Sequence, residues 1–313
     1  MSKKTAKKDD FIPCDKSHLH GIKSIHLLGK KLGFSVPELE RLANKSNYRV
    51  FSLKDSGRLV EEPPPVLQSL HRKIHRYLSR IEAPDYLHSA IKGRSYITNA
   101  TGHLGAGPMI KIDVKKFFPS VPQHRVMHFF RDAMHCSSDV SGLVANLLCR
   151  KGRLPTGGAA SPIISYYAYK DMFDEIQALC KSRRLKMTCY VDDIAISGNG
   201  ANRAVLHEIR LIMSRAGLRS HKAKFFDASR PKTVTGVMVK GNRLELPRSR
   251  WKAIRAGERA LLRAGSDDER LELYPALVSR LHEAAQIDPV CRKMALHHNQ
   301  KWRELRNSKQ ANA

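Results

Sequence analysis

The chain has 313 residues, 42% hydrophobic and 27% charged, which is enough apolar content to bury a core divided over two or three lobes and excludes a disordered polymer. Lysine and arginine number 56 against 29 acids, so a formal charge of +27 is spread along the whole length and attracts phosphates by releasing their counterions. With no run of about 18 apolar residues and no signal-peptide core, the expected partner is a polyanion in a cytoplasm, with no membrane. The six cysteines lack any C-x-x-C pair, so they read as reduced core thiols, with neither a zinc site nor a disulfide framework.

The charged opening, MSKKTAKKDD, has no apolar periodicity and reads as a flexible tail. Between His20 and Lys45 the apolar spacing predicts two short helices, the second with Ser35 as N-cap, Pro37 in its first turn and Glu38 three residues on. Residues 48–60 alternate around Asp55-Ser56-Gly57, a hairpin signal ended by three prolines that lead into a basic helix. MIKIDV, residues 109–114, is a short β-prone run ending in an acid, followed by a helix from about Gln123 to Met134.

Ser161-Pro162 opens a helical pattern that continues to Ser182, with serine as cap and proline at the first helical position. LKMTCYVDDIAIS, residues 185–197, then reads as a hairpin with two acids at its turn. A helix over about 201–215, a strand pair turning at Gly241-Asn242 and about 60 basic helical residues complete the order. Strand, helix, helix, hairpin, helix, strand pair predicts an α+β fold whose antiparallel sheet carries helices on one face. In the tail, Trp251 and Trp302 read as core residues before base-stacking ones.

Nucleotidyl transfer needs two divalent cations about 3.5–4 Å apart, and Mg²⁺ prefers oxygen ligands, so a few carboxylates meeting at one point suffice. Bare carboxylates that close would repel by about 4 kcal/mol per pair at an effective dielectric near 20, a cost that bound cations offset. Asp192 and Asp193 sit between apolar strands, and Asp113 ends another strand 79 positions earlier. Taken singly, the tandem acids fit an ordinary turn and Asp113 fits a strand-end cap.

Read together with their neighbours, these segments resemble the reverse transcriptase family, especially its bacterial retron branch. IKIDVKKFFPSV is similar to the family's first catalytic motif, which implies that Asp113 is a metal ligand, the Val114 carbonyl a second, and Phe118 the gate against a 2′-hydroxyl; Phe117 reads as core. RLPTGGAASPIIS resembles the LPQGxxxSP segment, implying nucleotide contact at Thr156 and Gly157, with Thr156 standing where the family usually has Gln. CYVDDIAIS resembles the Y-x-D-D hairpin, making Asp192 and Asp193 the remaining ligands; Cys189 departs from the Arg common in retrons. In GLRSHKAKF, Lys224 takes the place of the lysine that approaches the triphosphate and protonates pyrophosphate, and in KDSGRLVEEP, Lys54 and Arg58 take the places that grip it. By residue type alone, these three are exposed surface charges.

Two short segments point to retrons: Asn99, Ala100 and His103 match NAxxH, and Val234, Thr235 and Gly236 match VTG, which implies RNA-binding roles. The resemblance covers about residues 48–245. It implies a right-hand polymerase with a flexible basic tail (1–18), N-terminal helices and fingers (19–108), a palm (109–245) with a fingers insertion around 123–160, and a helical thumb for RNA (246–313). It further implies two Mg²⁺ ions with Mn²⁺ as substitute, deoxynucleotides, a cognate structured non-coding RNA copied from a guanosine 2′-hydroxyl into a branched RNA–DNA product, and a separate anti-phage effector protein. The competing expectations are another bacterial reverse transcriptase, of group II intron or defence type, and a non-catalytic RNA-binding protein on a polymerase scaffold.

Overall fold

The computed structural model describes residues 11–44, 47–54, 57–105 and 107–311, so the predicted tail up to Asp10 and the turn residues Asp55 and Ser56 lie outside it. Residues 11–18, grouped with the tail on sequence, instead belong to the folded part. Ile12 bridges Ile81, donating its amide to the Arg80 carbonyl and accepting from Glu82.

Two short helices follow, α1 (Ile25–Leu32) and α2 (Val36–Asn44). Gly33 closes α1 in the left-handed conformation, φ 75°, which an L-residue with a Cβ rarely adopts. Ser35 opens α2 with a reciprocal box: its amide donates to Glu38 Oε2 (2.7 Å) and its hydroxyl accepts from the Glu38 amide (3.4 Å). The predicted hairpin is β1 (Arg49–Ser52) paired antiparallel with β2 (Leu59–Glu62), and the prolines lead into α3 (Pro65–Leu78). Next come α4 (Tyr96–Thr101), β3 (Met109–Val114), α5 (Gln123–His128), which runs on as a π-turn over Phe129–Ala133, and α6 (Ser138–Leu148).

The single helix expected over 161–182 is two: α7 (Ser161–Ala168) and α8 (Lys170–Ser182). Tyr169 breaks it at φ −130°, ψ 23°, because its ring is pinned elsewhere: its hydroxyl donates to the Ser120 carbonyl (3.2 Å) and Arg125 stacks over its ring (4.5 Å). Ser161 is the first helical residue, not the cap, and its hydroxyl donates to the Pro155 carbonyl (2.7 Å). The chain continues through β4 (Lys186–Tyr190), β5 (Asp193–Ser197), α9 (Arg203–Arg215), β6 (Ser220–Phe226), β7 (Lys232–Val234), β8 (Val237–Lys240), β9 (Arg243–Glu245), α10 (Arg248–Arg263), α11 (Asp267–Ala284) and α12 (Pro289–Ala311). The strand pair expected near 233–247 is a three-stranded meander, with the VTG segment forming an additional turn at Thr235 and Gly236.

The chain forms two compact units. One comprises residues 1–95 and 107–228 and is built on a four-stranded antiparallel sheet in the order β4-β5-β3-β6. Alternation sorts its faces. Ile110, Ile112 and Val114 of β3, Ile194 and Ile196 of β5, and Met187 and Cys189 of β4 enter one core with Phe173 and Ile176 of α8 and Val205 and Ile209 of α9. The opposite face carries Lys111 and Asp113 on β3 and Asp193 on β5, all half-buried, so these acids lie away from the helical layer. The other unit, residues 96–106 and 229–313, joins α4 and the meander to the three C-terminal helices around Ile254, Leu261, Leu277, Leu281 and Cys291. Trp251 and Trp302 pack against that core, as expected for both. Among the described residues no helix is long and apolar enough to cross a membrane.

Candidate active site

Antiparallel pairing of β3 with β5 sets Asp113 directly opposite Asp193, and the Val114 amide donates to the Asp192 carbonyl (2.9 Å). Directly opposed residues share a face with Cα atoms about 4.5–5.5 Å apart, so acids 80 positions apart meet at one strand end. Asp193 begins β5 instead of sitting in the turn, which is made by Val191 and Asp192. Val191 has φ 60°, rare for a β-branched residue, and its amide is held by the Ser89 hydroxyl (2.9 Å). That tight reversal lets two consecutive acids stand beside β3.

The acids are poorly solvated. Asp192 reaches the surface, yet protein crowds its carboxyl: loss of water raises the group above its usual range, and the Asp113 charge adds to the rise, while Arg58 and His221 oppose it. Desolvation also raises Asp193, against the pull of Lys111, whose ammonium lies 2.7 Å from Asp193 Oδ2. The other oxygen, Asp193 Oδ1, is buried without a hydrogen-bond partner among the described residues. Among the described residues no three His, Cys, Asp or Glu side chains already converge as a finished metal cage, because Asp193 is turned to Lys111. The donor set still fits a hard divalent cation: all-oxygen, held by paired strands, with one buried lone-pair oxygen unused.

β6 brings His221 opposite Asp113 and Lys224 opposite Lys111, so Lys224 lies on the acidic face. Arg58, in the exposed β1–β2 hairpin, is close enough for its charge to act on Asp192; Lys54 is exposed in the same hairpin. Phe118 is 9% exposed and stacks on Phe117 with centroids 6.2 Å apart, and Phe117 is core, as expected.

The Leu154–Gly158 loop is fastened to β2. The Thr156 hydroxyl donates to the Leu59 carbonyl (2.9 Å) and accepts from the Glu61 amide (3.0 Å), and the Gly157 amide donates to the Glu61 carbonyl (3.1 Å). A Cβ on Gly157 would come 2.7 Å from that carbonyl oxygen, so only glycine allows this approach. Glu61 itself is 1% exposed and bridges Arg150 and Arg153 (3.3 Å to the latter). Thr156 thus commits its side chain to the hairpin.

Asn99 and His103 are fully buried in the second unit. Asn99 Nδ2 donates to Thr235 Oγ1 (3.4 Å), and that hydroxyl donates to the Tyr96 carbonyl (2.8 Å), tying NAxxH to VTG. Val234 is buried, whereas Thr235 and Gly236 turn with φ 44° and 75°. Lys111, His221, Ser89 and Glu61 carry no signal in the sequence. Strand register or burial gives each its place, and neither is visible in residue order.

A family model described as reverse transcriptase (RNA-dependent DNA polymerase) matches residues 43–239. The chain is 26% identical over 238 residues to the Retron Se72 reverse transcriptase of Salmonella heidelberg (strain 579083-10), covering 70% of this chain and 62% of that protein. It is also 26% identical over 245 residues to the Retron Ec86 reverse transcriptase of Escherichia coli, covering 74% and 76%. A solved foamy viral protease–reverse transcriptase in complex with double-stranded DNA aligns at TM-score 0.46 and 14% identity, over 76% of this chain and 36% of that one. The chain thus spans under two thirds of the Se72 protein. Its fold class is α+β, with antiparallel sheets and a helical C-terminal region. The chain belongs to the reverse transcriptase (RNA-dependent DNA polymerase) family.

Proposed function

We propose that this chain copies an RNA template into DNA by metal-dependent nucleotidyl transfer, with Asp113, Asp192, Asp193 and the Val114 carbonyl as the metal-binding groups. The observation that carries this reading is the register placing Asp113 opposite Asp193 on the face away from the helices. Held by these groups, two Mg²⁺ ions, or Mn²⁺ in their place, would supply the charge that activates a 3′-hydroxyl and steadies the departing pyrophosphate. The protein contributes rigidity: the Val191 reversal, the Ser89 contact and the β3–β5 ladder fix the backbone that carries the acids before any ligand arrives.

Lys224, on the same face, donates a proton to the leaving pyrophosphate, and Lys54 with Arg58 grips the triphosphate of the incoming deoxynucleotide from the hairpin. Gly157 lies against the nucleotide, and Thr156 serves by holding that loop on β2. Phe118 closes the sugar site to a 2′-hydroxyl. Residues 19–108 and 123–160 act as fingers, 109–245 as palm and 246–313 as thumb. For the retron role, the substrate is a cognate structured non-coding RNA, primed from a guanosine 2′-hydroxyl in the cytoplasm and used with an effector in anti-phage defence. In this assignment the meander turn at Thr235 and Gly236 meets RNA, while buried Asn99, His103 and Val234 hold its shape.

The test is to replace Asp113, Asp192 and Asp193 singly by Asn and assay DNA synthesis on copurified RNA, whose 2′,5′ branch is checked by sequencing. Each change should remove at least about 10³-fold of synthesis, roughly 4 kcal/mol of transition-state stabilisation, while RNA binding persists. Synthesis at wild-type rates in any of the three variants would refute the assignment of that acid.

A further inference from the structure

The geometry points to Lys111 as an internal counter-cation of Asp193, one that stands in for divalent charge in the metal-free protein and competes with it. This rests on the reading of the acidic face as a metal site.

Lys111 lies two positions before Asp113 on β3, hence on the same face. Its register partner on β5 is Ala195, and Asp193 is the diagonal neighbour two positions away. Alanine leaves room for the lysine stem to lie across the strand, and the ammonium reaches Asp193 Oδ2 at 2.7 Å. On the other side, β6 sets Lys224 opposite Lys111, so repulsion between like charges favours the rotamer aimed at the acid. Both partners of the ion pair are largely shielded, with side-chain exposures of 20% and 15%. At surface pairs water screens most of the attraction, whereas here a broken pair leaves a shielded charge without a partner.

The pair is also incomplete. It engages one oxygen of Asp193 and leaves the buried Oδ1 with no partner among the described residues, which a purely structural ion pair would normally satisfy. A carboxylate held by a single ammonium and keeping one oxygen unused suits an exchange of cations. A cation at the three acids then shares the Asp193 carboxylate with the Lys111 ammonium and is repelled by it, so Lys111 lowers the site's affinity and, without metal, offsets the repulsion between the acids.

The test uses the full chain and Mn²⁺ alone, with free ion measured by its paramagnetic resonance signal. The site's own binding is the part lost in Asp192→Asn. Lys111→Met should bind Mn²⁺ about tenfold more tightly than wild type, equivalent to about 1.4 kcal/mol. It should also show a lower Tm without metal and a larger rise in Tm on adding Mn²⁺. In an Asp193→Asn background the effect of Lys111→Met should vanish, and Lys224→Met should give a smaller gain. Equal or weaker Mn²⁺ affinity in Lys111→Met, or an equal gain from Lys224→Met, overturns the counter-cation role. Lys111→Gln, milder for folding, should move affinity in the same direction, and no movement counts against the proposal. No saturable binding in any of these proteins sinks the metal-site reading itself, and the Lys111 role with it.

Discussion

Asp192 is a residue the metal-free fold tolerates at a cost. Its carboxyl is raised because water is lost around it and Asp113 is near, so the folded protein holds a proton there more strongly than the unfolded chain. For a raised carboxyl, folding is favoured while the group is protonated. That contribution fades as pH climbs from the ordinary carboxylate range through the raised value. In metal-free buffer, Asp192→Asn should therefore be more stable than wild type near neutral pH, with the gap closing toward about pH 4. Denaturant titration at several pH values reads this directly, and a variant less stable throughout would contradict it. The same substitution should abolish synthesis, a site where stability is given up for chemistry. At this scale the three acids are legible only through the motifs around them, since each taken singly fits an ordinary turn or a strand-end cap. Lys111 and His221 are not, since a lysine or histidine in a basic chain looks like any other until pairing shows what stands opposite.

Elements that are short and punctuated are legible from residue order: β3 falls on the expected 109–114, and the capping box of α2 forms as its serine and glutamate require. β6 escapes such reading because SHKAKFF alternates little and is largely exposed, as suits an edge strand guarded by lysines. The break at Tyr169 escapes it too, because the helical pattern continues through it and only the tertiary contacts of its ring interrupt it. The docking of the glycine loop on β2 offers a test of how closely these elements must approach. Gly157→Ala would press a methyl on the Glu61 carbonyl and the Glu62 Cα, backbone atoms that cannot swing aside. It should cost about 1–3 kcal/mol and lower synthesis. Gly142→Ala, within α6 with nothing near its Cβ, should be neutral or stabilising by up to about 1 kcal/mol. Equal stability of both variants in denaturant titration would show that the loop has slack.

Over the whole molecule, a charge of +27 means that nucleic-acid affinity is dominated by phosphate contacts and falls steeply with salt. α12 carries Arg292, Lys293, Arg303 and Arg306 as exposed or half-exposed cations. Reversing all four to Glu should flatten the slope of log K against log salt, by about 0.7–0.9 for each phosphate that is no longer neutralised. Filter binding of the copurified RNA over a salt series measures it, and an unchanged slope would leave α12 as ordinary solvated surface. Composition makes the polyanion legible at once, and motif order makes the family legible. The division of the chain is not, because a boundary between 95 and 107 is set by partners such as Thr235, which lies 136 positions beyond Asn99.

That discontinuity constrains how the protein is born. Asn99 waits for Thr235, made 136 positions later, and at translation speeds of about 5–20 residues per second the delay is roughly 7–27 s. During that interval the nascent segment around α4 has left the ribosome without its partners. It hangs between two stretches of the first unit that are themselves assembling, so the sheet bearing the acids has its last strand, β6, before the meander that receives α4 exists.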